Sequence, residues 1–370
     1  MSKPLGHPIA ALGLMSGTSL DGIDVALLRT DGDKLVERGP SRTYGYDAGQ
    51  RDLLRRALAA AVKVTDRADR QGVLGEAEAA LTRWHAEAVL AFCSETGGAL
   101  TSVDLIGFHG QTVIHRPEKR LTVQLGDGHA LAKMLGRPVA FDLRAADVAA
   151  GGQGAPLVPA YHGALAATLP QRPVAFVNIG GVANVTWVGA DGALVAFDTG
   201  PGNALIDDWM VKHSGKSRDE GGAMALSGRV DEATVAQFLG DGFFEKNAPK
   251  SLDRNSFAGI TLDGLRVADG AATLVAVTAR SIGLSRQQMP EAPETWIICG
   301  GGRHNAAIMA ALRDLLADVR SADDCGFNGD SMEAEAWAYL SVRSLRGLPL
   351  TFPGTTGVSA PISGGVIVNP

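Results

Sequence analysis

Twice in this chain an apolar, strand-like run meets a glycine turn and reverses into a second strand-like run. Residues 10–14 lead through the turn-rich stretch 15–22 into 23–28, and residues 174–179 lead through Gly180-Gly181 into 182–188. Short apolar runs bounded by turn residues read as buried strands, and a glycine turn between two of them reads as a hairpin. The 47 glycines gather in such clusters and not in a Gly/Ser linker, which is the arrangement that lets backbone approach a ligand. Around the hairpins, helix-like composition at 50–61, 74–95, 157–168, 274–284, 305–316 and 332–346 alternates with strand signals at 105–108, 121–124, 139–141, 194–197 and 295–298. That alternation predicts an α/β protein built of two halves. The expected division is a first domain over 1–145, to which the tail at about 350–370 returns, and a second over 146–349. Residues 219–266, polar and weakly periodic, predict surface loops with short helices.

Composition narrows the function. With 34 Lys+Arg against 40 Asp+Glu, a net charge of -6, and 45% hydrophobic residues over 370 positions, the chain is an ordinary globular protein and not a disordered one. It is too long for one core to keep growing, so two domains with a ligand cleft between them are expected. No basic run occurs and aromatics make up only 5%, which argues against a nucleic-acid partner. Cys93, Cys299 and Cys325 show no CxxC or Cys/His spacing, so neither a disulfide framework nor a zinc site is expected. Residues 1–11 do not read as a signal peptide, and no uninterrupted apolar stretch approaches the roughly 18 to 20 residues of a membrane span. A cytoplasmic protein with no membrane partner is the expectation.

Three glycine turns can present backbone N–H groups to an anion. In Ser16-Gly17-Thr18-Ser19-Leu20-Asp21-Gly22, small hydroxyls and glycines can wrap a phosphate while Asp21 faces a magnesium ion through water; a plain hairpin turn is the alternative. In Asn178-Ile179-Gly180-Gly181-Val182-Ala183-Asn184, the glycines remove side chains that would block a phosphate, or mark a bulge. Cys299-Gly300-Gly301-Gly302, between a strand and a helix, can seat a base or ribose. Neither a GxxxxGK[ST] loop nor a strand-borne GxGxxG is present, which weakens P-loop and Rossmann readings. Asp198, after a strand and before Thr199-Gly200-Pro201-Gly202-Asn203, is placed as a general base or, alternatively, as the cap of a helix from 204. Asp142, Arg144 and Asp147 can bind a polyhydroxylated ligand or pair on the surface. His109, Gln111 and Thr112, read as the end of a strand, form a polar cluster suited to sugar hydroxyls. Glu333 and Glu335 open the last long helix, where only one can share its buried face and where an acid can serve simply as dipole compensation.

In order, Gly13-Leu14-Met15-Ser16-Gly17-Thr18-Ser19-Leu20-Asp21-Gly22-Ile23-Asp24, His109-Gly110-Gln111-Thr112, Gly151-Gly152-Gln153-Gly154-Ala155-Pro156-Leu157, Asn178-Ile179-Gly180-Gly181 and Asp198-Thr199-Gly200-Pro201-Gly202-Asn203 resemble the anhydro-N-acetylmuramic acid kinase family. Agreement continues through Cys299-Gly300-Gly301-Gly302 and Met332-Glu333-Ala334 to Thr355-Thr356-Gly357, nearly the whole chain. The resemblance implies the actin-like, sugar kinase and heat-shock-70 ATPase fold, with duplicated ribonuclease H-like α/β domains. It implies ATP-dependent phosphorylation of 1,6-anhydro-N-acetylmuramic acid at O6 with hydrolytic opening of the anhydro ring, in cell-wall recycling. By the same resemblance Asp198 is the general base and Glu333 helps position water or substrate. The nucleotide falls to Gly17, Thr18, Ser19, Leu20, Asp21, Gly22, Ile23, Asp24, Gly180, Gly181, Asn184, Gly300, Gly301 and Gly302, with Asp21 as the candidate Mg2+ residue. The sugar falls to His109, Gln111, Thr112, Gln124, Asp142, Arg144, Asp147, Gly154, Ala155 and Pro156. A homodimer is the family-level expectation. The alternative is an ATP-driven switch or filament protein on the same fold. One departure stands out: Pro249-Lys250-Ser251-Leu252-Asp253-Arg254 keeps the Pro-Lys-Ser start of a family loop but not its Thr-Gly-Arg-Glu continuation, so that loop's contacts are not implied.

Overall fold

The computed structural model describes residues 7–17, 19–252, 256–257 and 261–370. The chain divides into two units, residues 1–167 with 331–370, and residues 168–330. The first holds strands β1 (Ile9–Met15), β2 (Gly22–Thr30), β3 (Val36–Gly45), β4 (Leu105–Phe108), β5 (Gln111–Arg116), β6 (Leu121–Leu125) and β7 (Val139–Phe141). The second holds β8 (Val174–Ile179), β9 (Val182–Val188), β10 (Leu194–Pro201), β11 (Thr295–Cys299) and β12 (Val319–Ser321), and β13 (Val366–Val368) belongs to the first.

The two sheets share one topology. Unit 1 has the order β13-β7-β4-β1-β2-β3 and unit 2 the order β10-β9-β8-β11-β12. In each, an antiparallel meander of three strands is extended by two strands parallel to the first. The central strands β1, β4, β8 and β11 are almost wholly buried, which is why they read as continuous apolar runs.

Helices start where the sequence supplies caps. Asp47 and Gln50 form a capping box for Ala48–Ala61, Asp127 caps Gly128–Leu135, and Asn305 accepts from the N–H groups of Ala307 and Ile308 at the head of Ala306–Leu315. The Met332–Leu345 helix lies on β1, β2 and β4. It can approach because Gly13 and Gly107 are partners in the parallel register. A Cβ at Gly13 would sit 1.8 Å from the Ala334 carbonyl oxygen and one at Gly107 2.4 Å from that of Trp337. In unit 2 the Val267–Ser285 helix is buried along most of its length. It belongs to the only helix among the described residues long and apolar enough to cross a membrane, Val267–Gln288; inside this unit that apolarity serves the core.

Three expectations need correction. The boundary lies after Ala167, not after residue 145, and the chain rejoins unit 1 at Ser331, not near 350. The 151–156 glycine loop is bonded into unit 1, and the following Pro159–Ala166 helix is tied to Met332–Leu345 by the Tyr161 hydroxyl on Glu335 at 2.7 Å. His109, Gln111 and Thr112 do not end one strand: the chain turns at His109-Gly110, and Gln111 and Thr112 open β5. Finally, Asp198 is inside β10, opposite Asn184, with a bulge between Asp198 and Gly200. The strand continues because β9 supplies partners as far as Pro201, a pairing that local turn chemistry does not reveal. β3 carried no periodic signal and forms because β2 pairs with it.

Candidate active site

Unit 2 gathers its glycine turns at one end of its sheet. Gly180-Gly181 joins β8 to β9, and the Gly202, Asn203 and Ala204 N–H groups donate to the carbonyls of Gly181, Gly180 and Gly181. A Cβ on Gly202 would lie 2.3 Å from the Gly180 carbonyl oxygen. Gly300 has φ +70, and a Cβ there would meet Asn178 Oδ1 at 2.3 Å; one on Gly302 would meet Ile179 at 2.4 Å. Where these turns meet, Gly181 and Gly301 are exposed and Gly180 and Gly300 partly so, whereas Gly302 is buried. Asn178, Asn184 and Asp198 are opposite one another across β8, β9 and β10, so the three polar side chains stand in a row on one face.

Asp198 is the titratable member of that row. Its Oδ2 accepts the Leu252 N–H at 2.7 Å. Burial raises its pKa to about 6, with the Leu252 bond pulling the other way. It caps no helix: Ala204–Ser214 begins at Asn203.

Unit 1 holds the second cluster. A cavity of about 270 Å³ is lined by His109, Gly110, Gln124 and Asp142 together with Arg67 and Arg70. His109 Nδ1 is 2.5 Å from the Gly110 carbonyl oxygen, and Nε2 is 3.3 Å from Arg144 Nη2. Only a neutral ring with its proton on Nδ1 satisfies both, and burial followed by Arg144 lowers its pKa to about 3. Arg144 also donates to the Gly154 carbonyl at 2.8 Å and lies 5.2 Å from the Trp337 ring centroid; burial brings its pKa down to about 10. Glu333 is exposed; desolvation by neighbouring groups raises its pKa, while Arg144 opposes and Asp24 adds to the rise. Glu335 is the buried acid of the pair, bonded to Tyr161 and Ser331.

The other sugar candidates divide. The buried amide oxygens of Gln111 and Gln124 have no partner among the described residues, and Gln124 Nε2 bonds Thr122 and Thr112, leaving acceptors for hydroxyl or amide donors. Asp142, at φ +55, pairs with Arg67 at 2.6 Å. Asp147 is buried, and both its oxygens are taken, by Thr356 Oγ1 at 2.6 Å and the Gly154 N–H at 2.6 Å. It is therefore a brace for the loop carrying Gly154, Ala155 and Pro156, not a group open to sugar. At the first turn, Ser16 Oγ donates to the Gly110 carbonyl at 2.7 Å, Gly22 is wedged against Tyr44, and Asp21 is exposed. Gly17, Ser19, Leu20, Ile23 and Asp24 belong to this turn and the start of β2; Thr18 lies outside the described residues, as do Asp253 and Arg254.

The family model for anhydro-N-acetylmuramic acid kinase matches residues 9–370. The chain belongs to the anhydro-N-acetylmuramic acid kinase family. Anhydro-N-acetylmuramic acid kinases of Rhizobium etli and Rhodopseudomonas palustris are each 53% identical to it, over 97% and 98% of this chain and 98% and 100% of theirs. That of Agrobacterium fabrum is 51% identical over 98% of this chain and all of its own. Among solved structures, the activator of 2-hydroxyisocaproyl-CoA dehydratase from Clostridium difficile aligns over 91% of this chain and 96% of its own, at 13% identity and a TM-score of 0.47. The protein is an ATP-dependent phosphotransferase with an alcohol acceptor, acting on the anhydro amino sugar in peptidoglycan recycling. Its two units repeat one five-strand sheet order.

Within this anhydro-N-acetylmuramic acid kinase, Arg67 and Arg70 were not legible as site residues. They lie in a charged loop between two helices, a context in which arginines are usually solvated, and only the cavity brings them beside His109. Leu252 was equally hidden, since it contributes a backbone N–H, which residue type does not encode.

Proposed function

We propose that Asp198 takes the proton of a water that attacks C1 of 1,6-anhydro-N-acetylmuramic acid while O6, released as the C1–O6 bond breaks, accepts the γ-phosphoryl group of ATP. The products are N-acetylmuramic acid 6-phosphate and ADP. The observation that carries this reading is the Asp198 carboxylate: half-buried, with one N–H donor among the described residues and a pKa near 6, it is ionised at neutral pH and still basic enough to accept a proton. Glu333 and Arg144 orient the sugar or water. The unpartnered acceptors of Gln111 and Gln124 take its hydroxyl or amide donors.

The glycine turns of unit 2 and, within unit 1, the Ser16 to Gly22 turn are each suited to take nucleotide phosphates on backbone N–H groups. Among the described residues no group of three or more His, Cys, Asp or Glu forms a ready-made metal site. Mg2+ is usually held by substrate phosphates, water and one or two carboxylates, and Asp21 is exposed at the turn to serve as one. The ion would offset charge on the phosphates. The reaction belongs in the cytoplasm, where ATP is supplied.

Reaction in 18O-labelled water tests the proposal. The label is expected at C1 of the product and absent from the phosphate. Label in the phosphate, or ADP release that does not depend on the sugar, would overturn it.

A further inference from the structure

The segment in which this chain leaves the family pattern is the one that touches Asp198. β10 is an edge strand, paired on one side with β9. Its other side is taken by the segment 250–252, where the Asp198 N–H donates to the Lys250 carbonyl at 3.0 Å and the Leu252 N–H donates to Asp198 Oδ2 at 2.7 Å. The Lys250 side chain fastens that segment. Its Nζ donates to the Phe243 carbonyl at 3.2 Å. The same atom lies 4.5 Å from the Phe243 ring centroid and 5.9 Å from that of Phe197, the residue just before Asp198. Lys250 is half-buried, so these contacts are partly desolvated, where a cation on a ring face is worth most.

We propose that Lys250 is a positioning residue for the reaction: it clamps the 249–252 segment onto the open edge of β10 and so keeps the Leu252 N–H on the Asp198 carboxylate. The proposal rests on the reading of Asp198 as the base. Lys250 acts through the hydrogen bond: the influences resolved on the carboxylate are burial, which raises its pKa, and the Leu252 N–H, which lowers it. Among the described residues, the cations on the segment side are Lys250 and Lys246, the latter acting on Lys250. Facing Asp198 across the sheet are the uncharged Asn184 and Asn178, and the Val267–Ser285 helix brings Ser281 against Gly200. With the clamp gone, burial acts unopposed, and a smaller fraction of the base is ionised at a given pH.

The test is the pH profile of kcat/KM for the full-length enzyme and three variants. Lys250→Met keeps the aliphatic stem but loses the charge. It is expected to move the acid limb upward by roughly one pH unit, the scale on which losing a hydrogen bond to a charged group acts, while leaving the KM for ATP in place. Lys250→Arg should restore the wild-type limb. Leu252→Pro removes the N–H but keeps the lysine; it should move the limb as Lys250→Met does, and the two together should move it no further. A Lys250→Met limb coincident with wild type overturns the proposal, whatever happens to the plateau rate. So does a fully additive double variant. If Leu252→Pro fails to fold by thermal melting, the Met and Arg variants decide alone. Undiminished turnover in Asp198→Asn would instead remove the base itself, an outcome distinguishable from failure of the clamp.

Discussion

The two units of this kinase carry the same five-strand order, yet they use their glycines and acids differently. In unit 1, Gly13 and Gly107 are spent inside the sheet, where their missing side chains let the Met332–Leu345 helix settle on β1 and β4. In unit 2, Gly180, Gly202, Gly300 and Gly302 lie at the sheet's end, where turns press against turns: Gly202 and Gly302 are buried, and Gly180 and Gly300 are partly exposed. The acids diverge likewise. Asp147 of unit 1 has a donor on each oxygen and braces a loop, whereas among the described residues Asp198 of unit 2 has a single backbone donor, and its pKa is raised. Duplication supplies a scaffold twice; chemistry is placed where the copies differ.

The sharpest way to break that contrast is Asp198→Asn. Turnover should fall about 10²- to 10⁴-fold, the usual contribution of a general base, with ATP affinity by calorimetry unchanged. The glycines offer the next test. Gly13→Ala should cost about 1–3 kcal/mol of stability, as overpacking does, read as a lowered melting temperature with ATP affinity intact. Gly300→Ala, forced into a positive φ against Asn178, should weaken ATP binding more than it lowers the melting temperature. If both variants behave alike, the distinction between packing and binding glycines fails.

Two subtler outcomes concern protons. Activity should decline below about pH 6 as Asp198 takes up a proton, and His109, held neutral with a pKa near 3, should add no second limb between pH 5 and 8. The effect on stability has a definite sign. Asp198 titrates at 3.8 in the unfolded chain and about 6 in the native one. Between those values only the native state holds the proton, so stability falls as pH rises through the window. Asp198→Asn should therefore melt higher than wild type at pH 8, with the gap closing toward pH 4, a trade of stability for function. The smallest effect is expected from Thr356→Val, which strips one donor from Asp147 at a cost of about 1 kcal/mol by chemical denaturation and leaves the acid limb where it was.

Much of the fold was legible. The two hairpins, the apolar central strands and the long helices announce themselves because their burial is satisfied by local periodicity and turn chemistry. The domain boundary was not, because the 151–156 loop is held in unit 1 by Asp147, which bonds Gly154 and also Thr356, 209 residues away. Asp198 was found as a residue but misplaced as a strand terminus, since whether a strand continues through Asp-Thr-Gly-Pro depends on whether β9 offers partners. In the unit 1 cavity, the candidates His109, Gln124 and Asp142 do share one lining; Arg67 and Arg70 reach it from a loop with no motif.

The order of residues alone determined the duplicated α/β plan, the glycine turns and the family, because each is written in short-range pattern or side-chain type. Tertiary structure alone decided which acids are braced and which are poised, and that a backbone N–H from residue 252 would meet a carboxylate at 198. The reason is that a carboxylate's basicity is set by the donors and the water around it, and those neighbours arrive from distant parts of the chain only once it has folded.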